Sequence, residues 1–320
     1  MNALINDTQD FFRSLNDDVE VRLYINTPFI RIISIIAISL LCSCTTPSSQ
    51  YSNLARNFAF AQSQIQTDRF THTYYLNLNA IALKNKRNLA LTPGGPLHIY
   101  LEGDGTPWVE GKWIAIDPTP RRSIMLPLMH LDTAPAILLG RPCYHLDKKD
   151  KHCVPNDWTM GRYSSKVVES MVQAIEKLQS ELGFSSLAIF GHSGGGSMAI
   201  LIANALKNKS PKVDTIVTLA ANIDTDVWTA SLSHLPLTDS INPANLPPLP
   251  EQTDVLHLFG SDDSVVQVDL FDKYLSNNRD VRSHTYNGFD HTCCWQSIWP
   301  SILNQIVNHQ NSPLNPAVTE

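Results

Sequence analysis

Residues 187–196 read Leu-Ala-Ile-Phe-Gly-His-Ser-Gly-Gly-Gly, an apolar run that ends in the pattern G-x-S-x-G. Small and apolar residues at helical spacing follow from Ser197 to Leu206. A serine on a sharp turn between a strand and a helix has its hydroxyl pushed out of the sheet, and flanking glycines leave room for the strained backbone. The stretch therefore predicts a turn that exposes Ser193 and a helix whose first N–H groups face any anion formed beside it. The alternative is a glycine-rich loop that happens to contain serine.

A nucleophilic serine needs a base and an acid that orients the base. Residues 254–260, Asp-Val-Leu-His-Leu-Phe-Gly, predict a second strand, and Asp262 and Asp263 follow it. The carboxyl end of a parallel strand lies at the edge of the sheet where the serine turn also emerges. We select Asp263 because it lies three residues after Gly260 and immediately before a segment that re-enters a helix. Asp262 remains the alternative.

The base is expected on a loop after one more strand, in the chain order Ser, Asp, His. Residues 280–286 alternate in the manner of an edge or half-buried strand, and His291 follows in the next loop. His192 is part of the serine turn, where we expect it to shape the backbone rather than to abstract a proton. Order and spacing thus predict a catalytic triad of Ser193, Asp263 and His291.

Acyl transfer also needs two N–H donors for the oxyanion, one of which is expected from the residue after the serine, Gly194. The second is expected from a loop after an earlier strand. Residues 97–101 read as that strand, and Glu-Gly-Asp-Gly at 102–105 is the loop. The backbone N–H of Asp104 is the candidate by its position after the first glycine, and a plain glycine-rich turn is the alternative.

These motifs resemble the α/β-hydrolase superfamily and, within it, a bacterial serine esterase or lipase-like lipoprotein. The resemblance covers about residues 90–305. It implies an α/β fold, with a mostly parallel central sheet, helices on both faces and a small cap insertion. It also implies ester hydrolysis through an acyl-enzyme at Ser193, Asp263 and His291, without a metal or organic cofactor. A peptidase or amidase of the same fold and a non-catalytic envelope lipoprotein are the alternatives.

The rest of the chain is consistent with alternating strands and helices, the pattern of a parallel sheet. Residues 136–140 and 213–221 read as buried strands, and apolar residues recur at helical spacing over 165–182. Residues 224–250 interrupt the pattern with five prolines, a tryptophan and several leucines. We interpret this segment as a cap beside the acyl pocket, with an ordinary connecting loop as the alternative.

An apolar run over residues 32–41 is too short for a comfortable transmembrane helix and ends in Leu-Cys-Ser-Cys. This resembles a bacterial lipobox, and it predicts lipidation at Cys44. The protein would then be anchored in the cell envelope and face the periplasm or the exterior. An uncleaved anchor or a secreted protein are the alternatives. The predicted organisation is a signal at 1–43, a linker at 44–56, a hydrolase domain at 57–310 and a flexible tail at 311–320.

The four cysteines after the signal are Cys143, Cys153, Cys293 and Cys294. An even count in an oxidising compartment favours disulfides. Cys143 and Cys153 would close a short loop, while the other two would pair with each other or be cross-paired. A zinc site formed by Cys143, His145, His152 and Cys153 is the alternative, and we expect no metal.

The charge of the chain excludes one class of partner. It has 24 basic and 30 acidic residues, a formal net charge of −6, and no basic stripe with interleaved aromatic residues. We therefore expect no nucleic-acid binding. The expected partners are a small-molecule or lipid ester substrate, and a membrane reached through the lipid anchor.

Overall fold

The computed structural model describes residues 45–85, 95–146, 148, 150–278 and 281–309. The predicted signal at 1–43, the predicted lipidation site Cys44 and the predicted tail at 311–320 lie outside the described residues.

Eight strands form one sheet in the order β1-β2-β6-β3-β7-β8-β9-β10. The two strands at one edge, β1 and β2, pair antiparallel, and the six from β6 to β10 pair in parallel. The strands are β1 (Ala61–Gln66), β2 (Thr71–Leu76), β3 (Leu97–Leu101), β6 (Ala136–Leu139), β7 (Ser186–His192), β8 (Lys212–Leu219), β9 (Asp254–Gly260) and β10 (Arg282–Tyr286). A separate hairpin joins β4 (Trp108–Val109) to β5 (Trp113–Ile114).

Helices cover both faces of this sheet. They are α1 (Pro47–Asn57), α2 (Leu78–Asn85), α3 (Met125–His130), α4 (Ser165–Leu182), α5 (Gly194–Ala205), α6 (Thr225–Ser231), α7 (Asp272–Asn277) and α8 (Trp295–His309). Short 3-10 turns lie at Pro155–Trp158, Pro243–Asn245 and Val268–Phe271.

Alternating side chains of the central strands divide the core into two layers, because successive residues of a strand point to opposite faces. Leu97, Ile99 and Leu101 of β3 pack with the apolar face of α4 and with α5. Tyr100, between them, packs on the other face with Trp299 of α8. Central strands buried on both faces are expected in a parallel sheet, and they read as continuous apolar runs.

The architecture is the α/β class predicted from the sequence, and most predicted elements lie where expected. Helix α4 has the bounds of the predicted helix, and β9 has those of the predicted strand after residue 253. The helix after Ser193 begins at Gly194, three residues earlier than the apolar spacing indicated.

The predicted linker at 44–56 is corrected by the structure, since most of it belongs to helix α1. Thr46 caps the helix by accepting a hydrogen bond from the N–H of Ser49. Tyr51 and Ala55, four residues apart, lie on one face and are buried in the core. The sequence of this segment predicted a linker because most of its residues are polar and its apolar face is short.

Among the described helices, none is long and apolar enough to cross a bilayer.

Candidate active site

Ser193 occupies the turn between β7 and α5 in a backbone conformation that side chains rarely adopt, with φ 51° and ψ −126°. Its N–H donates to the carbonyl of Leu219 at the end of β8, at 2.8 Å. The turn is so tight that a Cβ atom on Gly191 would overlap the backbone of Gly195. The glycines of the motif are therefore required by close backbone approach, and the turn presents Ser193 at the carboxyl edge of the sheet.

The three residues predicted as a triad are brought together. His291 Nε2 lies 3.1 Å from Ser193 Oγ, and His291 Nδ1 lies 2.9 Å from Asp263 Oδ2. Ser193 and His291, 98 positions apart in the sequence, are thus brought into contact, and the imidazole ring of His291 links Ser193 to Asp263. Both distances are within hydrogen-bond range.

The carboxylate of Asp263 is fixed from its far side. Its Oδ1 accepts from the backbone N–H groups of Val265 and Val266, each at 2.8 Å, and the residue is 3% exposed. Asp262 is exposed and accepts from Ser261 Oγ instead. The structure therefore places Asp263, rather than Asp262, at the histidine.

His192 holds the loop that carries His291. Its Nε2 lies 2.7 Å from the backbone carbonyl of His291, so this nitrogen donates and carries the proton. Burial lowers the pKa of His192 to about 3, and its ring therefore stays neutral at neutral pH. His192 has the geometry of a positioning residue rather than of a base.

The loop after β3 packs directly on the serine turn. A Cβ atom on Gly103 would lie 3.4 Å from Ser193 Cβ, and one on Gly194 would overlap Asp104 Oδ1. The N–H of Asp104 has no acceptor among the described residues. Gly194 is the first residue of α5, where N–H groups have no partner within the helix. The N–H groups of Asp104 and Gly194, which have no acceptor in the described part of the chain, thus belong to segments that meet beside Ser193.

A buried charged cluster fixes the side chain of Asp104. Arg141 Nη1 donates to Oδ1 at 2.8 Å, Arg162 Nη1 donates to Oδ2 at 2.7 Å, and the Tyr163 hydroxyl donates to Oδ1 at 2.7 Å. Burial raises the pKa of Asp104, but the two guanidinium groups outweigh it and lower this pKa to about 2. Two cations and one carboxylate leave a net positive charge behind Gly194.

Sequence reasoning missed this cluster. The sequence does contain a signal for it, because Arg141 lies two residues after the end of β6, and Arg162 and Tyr163 lie in the last turn of chain before α4 begins at Ser165. Both positions lie at the carboxyl edge of the sheet, where Asp104 also lies.

All four candidate disulfide cysteines are paired in the structure. Cys143 pairs with Cys153, and Cys293 pairs with Cys294. Both sulfurs of the alternative zinc site are therefore in a disulfide, and across the described part of the chain no group of three or more His, Cys, Asp or Glu could hold a metal ion. Tyr144, next to the first disulfide, donates its hydroxyl to the carbonyl of Asp104 at 3.0 Å.

A cavity of about 950 Å³ opens above Ser193 and His291. Its apolar wall consists of Pro107, Trp108, Ile124, Met160, Trp228, Leu235, Leu237 and Val265. Three of these belong to the 224–250 segment, which therefore borders the cavity, as a cap would. Trp113 does not line it and is 70% exposed.

Solved structures share this arrangement of strands and helices. A protein of unknown function from Agrobacterium tumefaciens, assigned to the α/β hydrolases, is 11% identical, with a TM-score of 0.54 over 81% of this chain and 100% of that one. The chain has the α/β-hydrolase fold. The esterase Pf2001 from Pyrococcus furiosus shares this α/β-hydrolase fold, with 13% identity and a TM-score of 0.52 over 80% of this chain and 94% of that one. Est1E from Butyrivibrio proteoclasticus, solved with ferulic acid, has 12% identity and a TM-score of 0.51 over 78% and 99%.

The sequence pattern of the class 3 lipases matches residues 145–229 of this chain. This range contains α4, β7, the Ser193 turn, α5 and β8. No curated protein matches the chain significantly.

Proposed function

We propose that the protein is a serine hydrolase that cleaves carboxylic esters through an acyl-enzyme. The observation that carries this proposal is the continuous hydrogen-bonded chain from Ser193 through His291 to Asp263, at a cavity with an apolar wall. The match to the class 3 lipase pattern around Ser193 supports it.

In the first half-reaction, His291 acts as the base. Asp263 accepts from Nδ1–H of His291, which leaves the lone pair of Nε2 directed at the Ser193 hydroxyl. As Oγ attacks the ester carbonyl, its proton passes to Nε2, and the carbonyl oxygen becomes an oxyanion. The N–H groups of Gly194 and Asp104 stabilise this oxyanion. The oxyanion then collapses, the bond between the acyl carbon and the alcohol oxygen breaks, and the imidazolium protonates that oxygen; the alcohol leaves and the acyl group stays on Oγ.

In the second half-reaction, water takes the place of the alcohol. His291 accepts a proton from the water, whose oxygen attacks the acyl carbon and forms a second oxyanion in the same site. The bond from the acyl carbon to Ser193 Oγ breaks, Oγ recovers the proton from His291, and the carboxylic acid leaves. The enzyme returns to its starting state without a cofactor.

Two panels of substrates test this proposal and its runner-up, a peptidase or amidase. The first panel is p-nitrophenyl esters from acetate to decanoate, and the second is p-nitroanilides of the same acids. We expect turnover of the esters, none above background with Ser193→Ala, and much slower turnover of the anilides. Turnover of anilides alone would replace the esterase with an amidase. Rates at background for both wild type and Ser193→Ala would indicate a non-catalytic lipoprotein.

We also propose that the enzyme is anchored in the bacterial cell envelope through a lipid on Cys44. The lipobox-like sequence ending at Cys44 is the basis, and the two disulfides of the domain support an oxidising compartment. Expression in bacteria fed an alkyne fatty acid should label the wild-type protein and not Cys44→Ser. Equal labelling of both would contradict the anchor.

A further inference from the structure

Three basic side chains line the cavity and have no acidic partner within the described ranges. They are Lys112, in the turn between β4 and β5, and Arg121 and Arg122, in the loop between β5 and α3. All three residues are exposed. Within the part of the chain that the structure describes, none of these three side chains forms a hydrogen bond or an ion pair. Their charges are available to a ligand.

The acidic residues of the cavity do not offset these charges. Two of the described lining residues, Glu102 and Asp104, are acidic. Glu102 is buried, accepts from the Tyr51 hydroxyl at 2.9 Å, and has a pKa raised by that burial. Asp104 is already paired with two buried arginines. The cavity is therefore positive, although the whole chain has a formal net charge of −6.

Much of the remaining wall is apolar, although the cap segment also contributes Ser233 and His234. Trp228, Leu235, Leu237 and Val265 come from the cap segment and the loop after β9, whereas the three cations come from the stretch between β3 and α3. One cavity thus combines apolar surface with three cations that have no partner among the described residues. An ester with an apolar chain and a negative charge fits both.

We propose that the natural substrates are anionic esters, in which a carboxylate or phosphate on the substrate lies near Lys112, Arg121 and Arg122 while an apolar chain contacts the cap side. This inference rests on the proposed function. Clefts lined by charge of one sign concentrate ligands of the opposite sign and speed their association. The cationic cluster therefore selects substrates by charge, independently of the bond that is cleaved.

A matched pair of esters isolates the charge. p-Nitrophenyl octanoate and p-nitrophenyl hydrogen suberate have the same chain, except that a terminal methyl is replaced by a carboxylate. We expect the ratio of kcat/KM for the suberate over the octanoate to fall roughly 10-fold when Lys112, Arg121 and Arg122 are all changed to Gln. Added salt at 0.5 M should lower the wild-type ratio in the same direction, because it screens exposed charges.

The control removes charge elsewhere. Lys209 and Lys212 are exposed and lie at the amino end of β8, on the opposite edge of the sheet from Ser193. Lys209→Gln/Lys212→Gln should keep the wild-type ratio. The same ratio in wild type and in the triple variant would overturn the inference and leave the esterase proposal intact. Failure of the wild type to cleave either ester would refute the proposed function and this inference with it.

A second pair of substrates identifies the source of the anion. Dihexanoyl phosphatidylglycerol carries a net negative charge, and dihexanoyl phosphatidylcholine has the same acyl chains and no net charge. If hexanoate is released from phosphatidylglycerol at a rate that depends on the three cations, the anion of the natural substrate would be assigned to a lipid headgroup. If cleavage of the suberate depends on the three cations and neither lipid is cleaved, the natural substrate would be assigned to the soluble carboxylate esters.

Discussion

The carboxylate of Asp104 packs directly against Gly194. A Cβ atom on residue 194 would overlap both Asp104 Oδ1 and the Tyr163 hydroxyl. Since Asp104 is held by Arg141 and Arg162, its side chain has little freedom to move away. The buried cluster and the serine turn therefore restrict each other's movement. The two segments proposed to bind the oxyanion are thereby kept in a fixed position relative to each other.

Gly194→Ala should lower kcat about 10²- to 10³-fold, because the added methyl displaces the N–H proposed to bind the oxyanion. Gly103→Ala is the matched comparison, since its Cβ would meet its nearest atom, His192 Nδ1, at 3.3 Å without overlap. We expect the second variant to lose much less activity. Steady-state kinetics on a p-nitrophenyl ester, with circular dichroism to verify folding, measures both. Equal losses of kcat in the two variants would contradict the proposal that residue 194 must be glycine for oxyanion binding.

Asp104→Asn should lower the free energy of unfolding by about 3 kcal/mol, because it leaves two buried guanidinium groups without a counter-charge. Urea denaturation measures this, and Asp262→Asn, at an exposed carboxylate, is the control. The pKa of Asp104 is about 2 in the folded protein against an ordinary 3.8. Its contribution is thus present above pH 3.8 and is lost as the pH falls towards 2. A variant as stable as the wild type would contradict the role of the cluster.

Buried neutral histidines should make the fold sensitive to mild acid. Burial lowers the pKa of His257 from 6.5 to about 4. Between these values the unfolded chain binds the proton and the folded protein does not, so stability is complete above pH 6.5 and declines as the pH falls. The cost at pH 5 is about 2 kcal/mol for this histidine. His257→Gln should reduce the loss of stability between pH 7 and pH 5, and Gln at exposed His284 should not.

Asp263→Asn should lower kcat about 10⁴-fold, because an amide no longer stabilises the imidazolium or holds the reactive tautomer of His291. Asp262→Asn is the neighbouring control and should leave kcat within about twofold, since Asp262 contacts Ser261 rather than the histidine. Kinetics on the same ester compare the two. A larger loss of kcat in Asp262→Asn than in Asp263→Asn would indicate that Asp262 is the acid of the triad.

The sequence predicted those features that depend on local pattern. The apolar run before Ser193 and the glycines around it specify a strand and a tight turn, and the order of Asp263 and His291 follows the order of the parallel strands. The partners of Asp104 could not be read in this way, because Arg141 and Arg162 lie 37 and 58 residues away and meet it only when the strand ends converge. Helix α1 was missed because its face of Tyr51 and Ala55 is too short for periodicity to reveal it.

The most direct measurement of the central claim is covalent labelling with a fluorophosphonate probe, followed by peptide mapping. The account predicts one modified residue, Ser193, in the wild type. Labelling should be lost in Ser193→Ala and strongly slowed in His291→Ala, because the probe requires an activated hydroxyl beside an oxyanion site. Absence of labelling in the wild type, or equal labelling of Ser193→Ala, would contradict the account.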